Sequence, residues 1–155
     1  EKQYYEVSGK NFLLAHGDGL GPGDKGYKRM KKLFTNPIAQ WFFKWLHPDI
    51  AMKIAIYFST KNKMISGVED MKFLGEDKEF LIIYSKEKLK SENLDYFVYG
   101  HRHLPMIIDL KVDGKGAKHV NLGDWISYFT YGVFDGEEFK ILKHGDTVNA
   151  QSTQE

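Results

Sequence analysis

The sequence predicts an α/β fold with an antiparallel part, and three observations support this prediction. The chain has 155 residues, of which 42% are hydrophobic and 28% charged, so it can bury a core and is neither disordered nor fibrous. Short apolar runs typical of strands precede and follow a block of helical segments. Asp-Gly pairs then separate the last apolar runs, as turns do in hairpins.

The first third of the chain is predicted to be a strand region, a loop and three helices. Residues 7–15 indicate a strand with a turn at Ser8-Gly9, and the glycine-rich HGDGLGPGD that follows must be a loop. Asp24 is a candidate N-cap, and Pro37 suits a first helical position. The three helices are expected at 25–34, 38–46, and 50–58 or slightly beyond.

The remaining elements are one amphipathic helix and a series of strands. Residues 75–89 place Phe80, Leu81, Ile83 and Tyr84 at helical spacing. Apolar or alternating runs predict strands at 96–99, 106–112, 119–122, 128–134 and 138–142, with turns at Asp113-Gly114 and Asp135-Gly136. The tail at 147–155 is polar and is expected to fray.

The positive charge is concentrated in and around the three predicted helices. Residues 24–63 hold nine Lys/Arg and two Asp, a net +7, although the whole chain carries only +1. The same segment contains eight aromatic residues. Basic and aromatic residues together suit an anionic membrane, an amphiphile with phosphate, or single-stranded nucleic acid. The alternative is a helical hairpin with a solvated basic face and an aromatic core.

Histidines follow two of the apolar strands. His16 comes after FLLA, and His101 and His103 come after YFVYG, where loops at the carboxyl ends of strands usually bind ligands. Residues i and i+2 of an extended segment point to the same side, so His101 and His103 could both reach metal sites a few ångströms apart. Asp18 and Asp124 could each orient a histidine or substrate, or simply cap a turn.

These donors are too few for a two-metal hydrolytic centre. Three imidazoles can hold one transition metal weakly, whereas two ions need a bridging carboxylate and more ligands. Cysteine is absent, so no thiolate can complete the set. The sequence also contains no P-loop and no G-x-S-x-G.

In the motifs AHGDG and GHRH, the sequence resembles the calcineurin-like metallophosphoesterases. Within that superfamily it is similar to the UDP-2,3-diacylglucosamine diphosphatases of lipid A biosynthesis, through HGDGLGPGDKGYKRMKKLFTNP, FLGEDKEFL and LGDWISYFTYGVFDGEEF. The resemblance implies the C-terminal part of a calcineurin-like α/β sandwich over residues 1–146, with a helical lid inserted at 24–65. The family's opening motifs (DxH, GDxxD and GNHD) are missing, so the N-terminal half of the enzyme is an expected partner.

The resemblance also implies roles for individual residues. His16 and His101 would ligate one of two manganese ions and His103 the other, with His101 counted as catalytic; another divalent transition metal could replace manganese. Asp24 and Tyr27 would approach the substrate's glucosamine and phosphate, and Asn62, with Lys61, is a further candidate for substrate contact.

The function implied is hydrolysis of a lipid-linked nucleotide, UDP-2,3-diacylglucosamine, to 2,3-diacylglucosamine 1-phosphate and UMP. The enzyme would be cytoplasmic and peripheral on the inner membrane, and would not bind nucleic acid; this segment alone is expected to be inactive. One alternative is a phosphoesterase of the same superfamily acting on another phosphodiester or nucleotide. Another is a non-catalytic basic-aromatic module that binds membranes or nucleic acid.

Overall fold

A computed structural model describes residues 2–22, 25–66 and 72–145, without the side chains of 25–27 and 61–66. The predicted tail at 147–155 lies outside the described residues. The elements are β1 (Lys2–Val7), β2 (Lys10–Ala15), α1 (Lys25–Phe34), α2 (Pro37–Lys44), α3 (Pro48–Ser66), α4 (Phe80–Ser91), β3 (Tyr96–Tyr99), β4 (Met106–Val112), β5 (Lys115–Asn121), β6 (Thr130–Phe134) and β7 (Phe139–Lys143).

The central sheet is mixed, which confirms the α/β prediction at that level. Within the described residues it has five strands in the order β1-β2-β3-β5-β4. Strands β2, β3 and β5 are parallel to one another, and Ala15 pairs with Tyr99, which pairs with Asn121. The three strands therefore end at the same level, and the loops that follow them leave from one edge of the sheet.

Tight turns join the antiparallel neighbours, as the sequence predicts. Ser8 and Gly9 have φ values of 51° and 72° between β1 and β2. Asp113 and Gly114, at 52° and 79°, occupy the corresponding positions between β4 and β5. Positive φ at both central residues matches the right-handed twist of the strands on either side. Local residue chemistry thus fixed both hairpins.

Each face of the sheet is covered by a different element. Helix α4 packs on one face, where its Leu81, Ile82 and Leu89 join Leu13 and Phe97 in a buried cluster. The β6–β7 hairpin packs on the other face, where Phe139 of that hairpin meets apolar side chains of β2, β3 and β5 (Phe12, Tyr96, Val98 and Val120). The sheet is therefore the middle layer of three.

Helix α4 differs from its prediction in start and in buried face. It begins at Phe80, because residues 76–78 form a turn, and Phe80 itself is 47% exposed. The buried positions are Leu81, Ile82, Ser85 and Leu89. The helix therefore starts five residues later than predicted. Packing against the sheet decides which of its side chains are buried.

A buried polar network links α4 to the sheet. Ser85 Oγ lies 2.8 Å from Leu81 O, 3.0 Å from Tyr99 Oη and 3.2 Å from His119 Nδ1. A carbonyl can only accept, so the Ser85 hydroxyl donates to Leu81 and accepts from both Tyr99 and His119. Burial lowers the pKa of His119 to about 4 and raises the pKa of Tyr99. His119 is therefore neutral and carries its proton on Nδ1.

Helices α1, α2 and α3, which lie in the segment predicted to be an insert and are called the insert below, expose much of their apolar surface. Asn36 Oδ1 caps α2 by accepting from Ile38 N at 2.8 Å and Ala39 N at 3.2 Å. Helix α3 extends to Ser66, well past the predicted 58. Trp45 is 76% exposed and Phe42 63%. No helix in the described part of the chain is long and apolar enough to cross a membrane.

Candidate functional site

Three loops meet at the edge where the parallel strands end. Residues 16–18 follow β2, 100–103 follow β3 and 122–124 follow β5. The backbone joins the first two directly, because Gly100 N donates to His16 O at 3.1 Å. Leu122 N likewise donates to Tyr99 O at 2.9 Å. This edge is the usual ligand-binding position in open α/β sheets.

The structure brings His16 and His101 together. Their ring centroids are 5.3 Å apart and the rings are nearly perpendicular. Gly17, with φ +110°, makes this approach feasible, because a Cβ there would lie 3.0 Å from both His101 Cβ and Leu81 Cδ1. A side chain at this position would push the two loops apart.

The loop that carries His101 and His103 is held in place by buried hydrogen bonds and an ion pair. Asn121 is fully buried at the end of β5, and its Nδ2 donates to Arg102 O at 2.5 Å and to Leu104 O at 2.6 Å. The Arg102 guanidinium donates to Glu79 Oε1 at 2.9 Å. Both partners of this ion pair are largely buried. The loop is thus held through its backbone and through its central side chain.

His103 has a carboxylate partner. Its Nδ1 lies 3.0 Å from Asp124 Oδ2, and the imidazole is about half exposed. The other oxygen of Asp124 accepts from the backbone N–H groups of Ile126, Ser127 and Tyr128 at 2.6–3.1 Å. These bonds, that of Ser127 above all, hold the pKa of Asp124 below its ordinary value. The sequence left turn-capping and orientation of a histidine as alternatives, and Asp124 does both.

Asp18 connects the site to the insert. Its Oδ2 accepts from Lys31 Nζ of α1 at 2.6 Å. Lys28, one turn earlier, donates to Gly21 O at 2.6 Å. Two lysines of α1 therefore tie the insert to the loop that follows β2.

The donors suit a transition metal only as part of a larger set. Two adjacent imidazoles and a third with a carboxylate behind it are a chemistry that such ions accept. Yet the described residues contain no group of three or more His, Asp or Glu close enough to hold an ion. The metal assignments of His16, His101 and His103 stay predictions.

The predicted substrate contacts fall outside what is described. Asp24 is not among the described residues, and the side chains of Tyr27 and Asn62 are not described, although their backbones lie in α1 and α3. Their roles, and that of Lys61, stay predictions.

The chain is similar to curated bacterial proteins named UDP-2,3-diacylglucosamine hydrolase. That of Porphyromonas gingivalis is 35% identical over 145 residues, covering 84% of this chain and 53% of the relative. Those of Pseudomonas putida (29%) and Yersinia pseudotuberculosis (26%) match 77% and 81% of this chain and 48% and 50% of their own lengths. The chain is homologous to the UDP-2,3-diacylglucosamine hydrolases. No protein-family model matches it.

This homologue spans about half the length of the curated hydrolases it matches. The matched stretch still accounts for most of the chain, so the relationship extends across the sheet and the insert rather than resting on one motif. The prediction that the sequence resembles these hydrolases over only part of their length is confirmed.

The sequence did not identify Asn121 and Glu79 as residues that hold the histidine loop. Glu79 lies within FLGEDKEFL and Asn121 directly precedes LGDW, but neither stretch assigns a role to these side chains. Each acts on a loop that is distant in sequence. A polar residue at the end of an apolar strand is the only local signal that Asn121 offers, and Glu79 reads as an ordinary acidic residue before a helix.

Proposed function

We propose that this chain forms part of an enzyme that hydrolyses the diphosphate of UDP-2,3-diacylglucosamine, giving 2,3-diacylglucosamine 1-phosphate and UMP. The observation that carries the proposal is the similarity to the hydrolases of that name over most of the chain. The adjacent His16 and His101 at the edge of the parallel strands support it, because they provide a ligand-binding site. The proposal includes a calcineurin-like fold for the complete enzyme.

The site would hold two divalent ions, manganese in our proposal, together with ligands from a further segment of the same enzyme. His16 and His101 would contact one ion and His103 the other. Such ions supply Lewis-acid polarisation of the diphosphate. Asn121 and the Arg102–Glu79 pair keep the histidine loop in place, and Asp124 orients His103. The chain's own contribution is thus a preorganised set of imidazoles.

The insert is proposed to bind the acyl chains. Between its helices lies an apolar pocket of about 250 Å³, lined by Met30, Phe34, Phe43, Ile54, Ala55, Phe58 and Ser59. Each CH₂ buried there would contribute about 0.8 kcal/mol. Asp24, Tyr27 and Asn62 remain the proposed polar contacts to the substrate.

A second surface of the insert suits an anionic lipid membrane. Arg29 and Lys32 line a groove of about 510 Å³ whose other residues include Leu33, Ile38 and Phe42. Each lysine or arginine near an anionic surface is worth roughly 1 kcal/mol. The ring of Phe42 contacts that of Trp41, which in turn contacts Trp45, and both tryptophans are exposed. We therefore propose that the enzyme is peripheral on the cytoplasmic face of the inner membrane.

The decisive experiment is hydrolysis by the full-length protein that carries this chain, assayed as UMP release in the presence of Mn²⁺. His101→Ala is expected to reduce turnover by about 10²-fold or more, the order found when one preorganised electrostatic group is removed. His144→Ala is the matched control, because His144 is exposed near the end of β7, where its ring contacts Trp125. Unchanged turnover in His101→Ala would refute the proposed site.

Two comparisons separate the alternative functions. UDP-N-acetylglucosamine, which lacks the two long acyl chains, should be hydrolysed far more slowly than the diacylated substrate; equal rates would favour a phosphoesterase for soluble nucleotides. Residues 1–155 alone are expected to show negligible turnover. Metal-independent, high-affinity binding of an oligonucleotide, falling steeply with salt, would favour the non-catalytic module instead.

A further inference from the structure

Asp124 divides its two carboxylate oxygens between two partners. Oδ1 accepts from the N–H groups of Ile126, Ser127 and Tyr128, and Oδ2 faces His103 Nδ1 at 3.0 Å. Three N–H donors on Oδ1 suit the ionised carboxylate, and a carboxylate can only accept hydrogen bonds. The proton in the contact with His103 must therefore sit on Nδ1.

We infer that Asp124 is a positioning residue that fixes neutral His103 as the tautomer protonated at Nδ1, which leaves the lone pair on Nε2 for a ligand. Where the ligand is a metal, the inference rests on the proposed function. The tautomer itself follows from the contact alone. In a metal site, such a carboxylate also orients the ring and raises the basicity of the ligating nitrogen.

The backbone that carries Asp124 is held by contacts to neighbouring strands. Thr130 Oγ1 donates to Leu122 O at 2.7 Å, and Thr130 N donates to Asp124 O at 3.3 Å. Gly123 has φ +79°, and a Cβ there would lie 2.5 Å from Thr130 Oγ1. These contacts fix the start of the turn to the end of β5 and the beginning of β6.

Asp124→Asn separates the two duties of the side chain. The amide oxygen of Asn can still accept hydrogen bonds from the three N–H groups of the turn. The NH₂ group cannot take that position, because it can only donate and would face three other donors. The NH₂ therefore faces His103, whose Nδ1 must become an acceptor. The substitution is expected to keep the turn and to move the imidazole proton of His103 to Nε2. That nitrogen then has no lone pair for a ligand.

The tautomer of His103 is read from its side-chain ¹⁵N chemical shifts in metal-free protein at about pH 8.5, where an ordinary imidazole is neutral. We expect the Nδ1–H form to predominate in the unchanged protein and to fall below half in Asp124→Asn. Asp135→Asn is the matched control. Asp135 caps its turn through Glu137 N at 3.0 Å and Glu138 N at 2.8 Å, with Lys140 rather than a histidine on its second oxygen.

Two results would overturn the inference: an Nε2–H tautomer of His103 in the unchanged protein, or an unchanged tautomer in a folded Asp124→Asn. The first needs no variant, so it decides the matter even where Asp124→Asn fails to fold. Neither readout involves metal or turnover. A failure of the positioning role is therefore distinguishable from a failure of the proposed hydrolysis, which the His101→Ala assay tests.

Discussion

Ser85 is the shared oxygen of the buried network between α4 and the sheet, which makes Ser85→Ala a sharp test of the packing. The residue has no exposed surface, and its hydroxyl accepts from both Tyr99 and His119. Alanine removes the acceptor without adding bulk. The Tyr99 hydroxyl and the His119 Nδ1–H would then lose their Ser85 partner, and both residues are buried.

The expected cost follows from those two donors. Leaving a buried donor without a partner costs about 1–3 kcal/mol, so two give roughly 2–6 kcal/mol. Alanine is the better helix former by a few tenths of a kcal/mol, which offsets little of this. We therefore expect the free energy of unfolding to fall by about 2–5 kcal/mol, a large share of the stability of a typical domain.

The assay is urea unfolding followed by circular dichroism, with Ser91→Ala as the matched control. Ser91 lies on the same helix, and its hydroxyl also bonds to a backbone carbonyl, Lys88 O at 3.2 Å, but the residue is exposed. The control should change stability by less than about 0.5 kcal/mol. A loss below about 1 kcal/mol in Ser85→Ala would refute the network as described.

Two further predictions concern pH and the histidine contact. Because the pKa of His119 is about 4 in the folded chain and about 6.5 when unfolded, its contribution to the free energy of unfolding should be complete above about pH 6.5 and fall by about 3 kcal/mol toward pH 4. His119→Asn keeps a donor without titrating, so this variant should show a smaller fall. An identical pH profile for the variant, measured by urea unfolding, would contradict the assignment. Gly17→Ala should lower the free energy of unfolding by about 1–3 kcal/mol and shift the ring resonances of His101. The control Gly75→Ala (φ +98°, with open space around its Cβ) should carry the backbone strain without that shift. Equal effects of the two variants on His101 would contradict the contact.

Much of the local structure was predictable because its causes are local. The pairs Ser8-Gly9 and Asp113-Gly114 can adopt positive φ, and both form hairpin turns. The predicted bounds of α1, β3 and β4 agree with the structure, since each is bracketed by a capping, glycine-rich or turn sequence. The end of α3, predicted at 58 or slightly beyond, was placed too early, because no Pro or Gly stops the helix between 58 and 66 and the polar residues there tolerate helix.

The sequence by itself determined the α/β class, the turns, the histidines that follow two strands and the basic, aromatic insert, because each is written in neighbouring residues. Only the tertiary structure decided that β2, β3 and β5 lie side by side and end level, which brings His16 to His101. It also chose between two roles for Asp124 and recruited Asn121 to the histidine loop. Those contacts join residues many positions apart, and their energy depends on strand pairing and burial that no local pattern encodes.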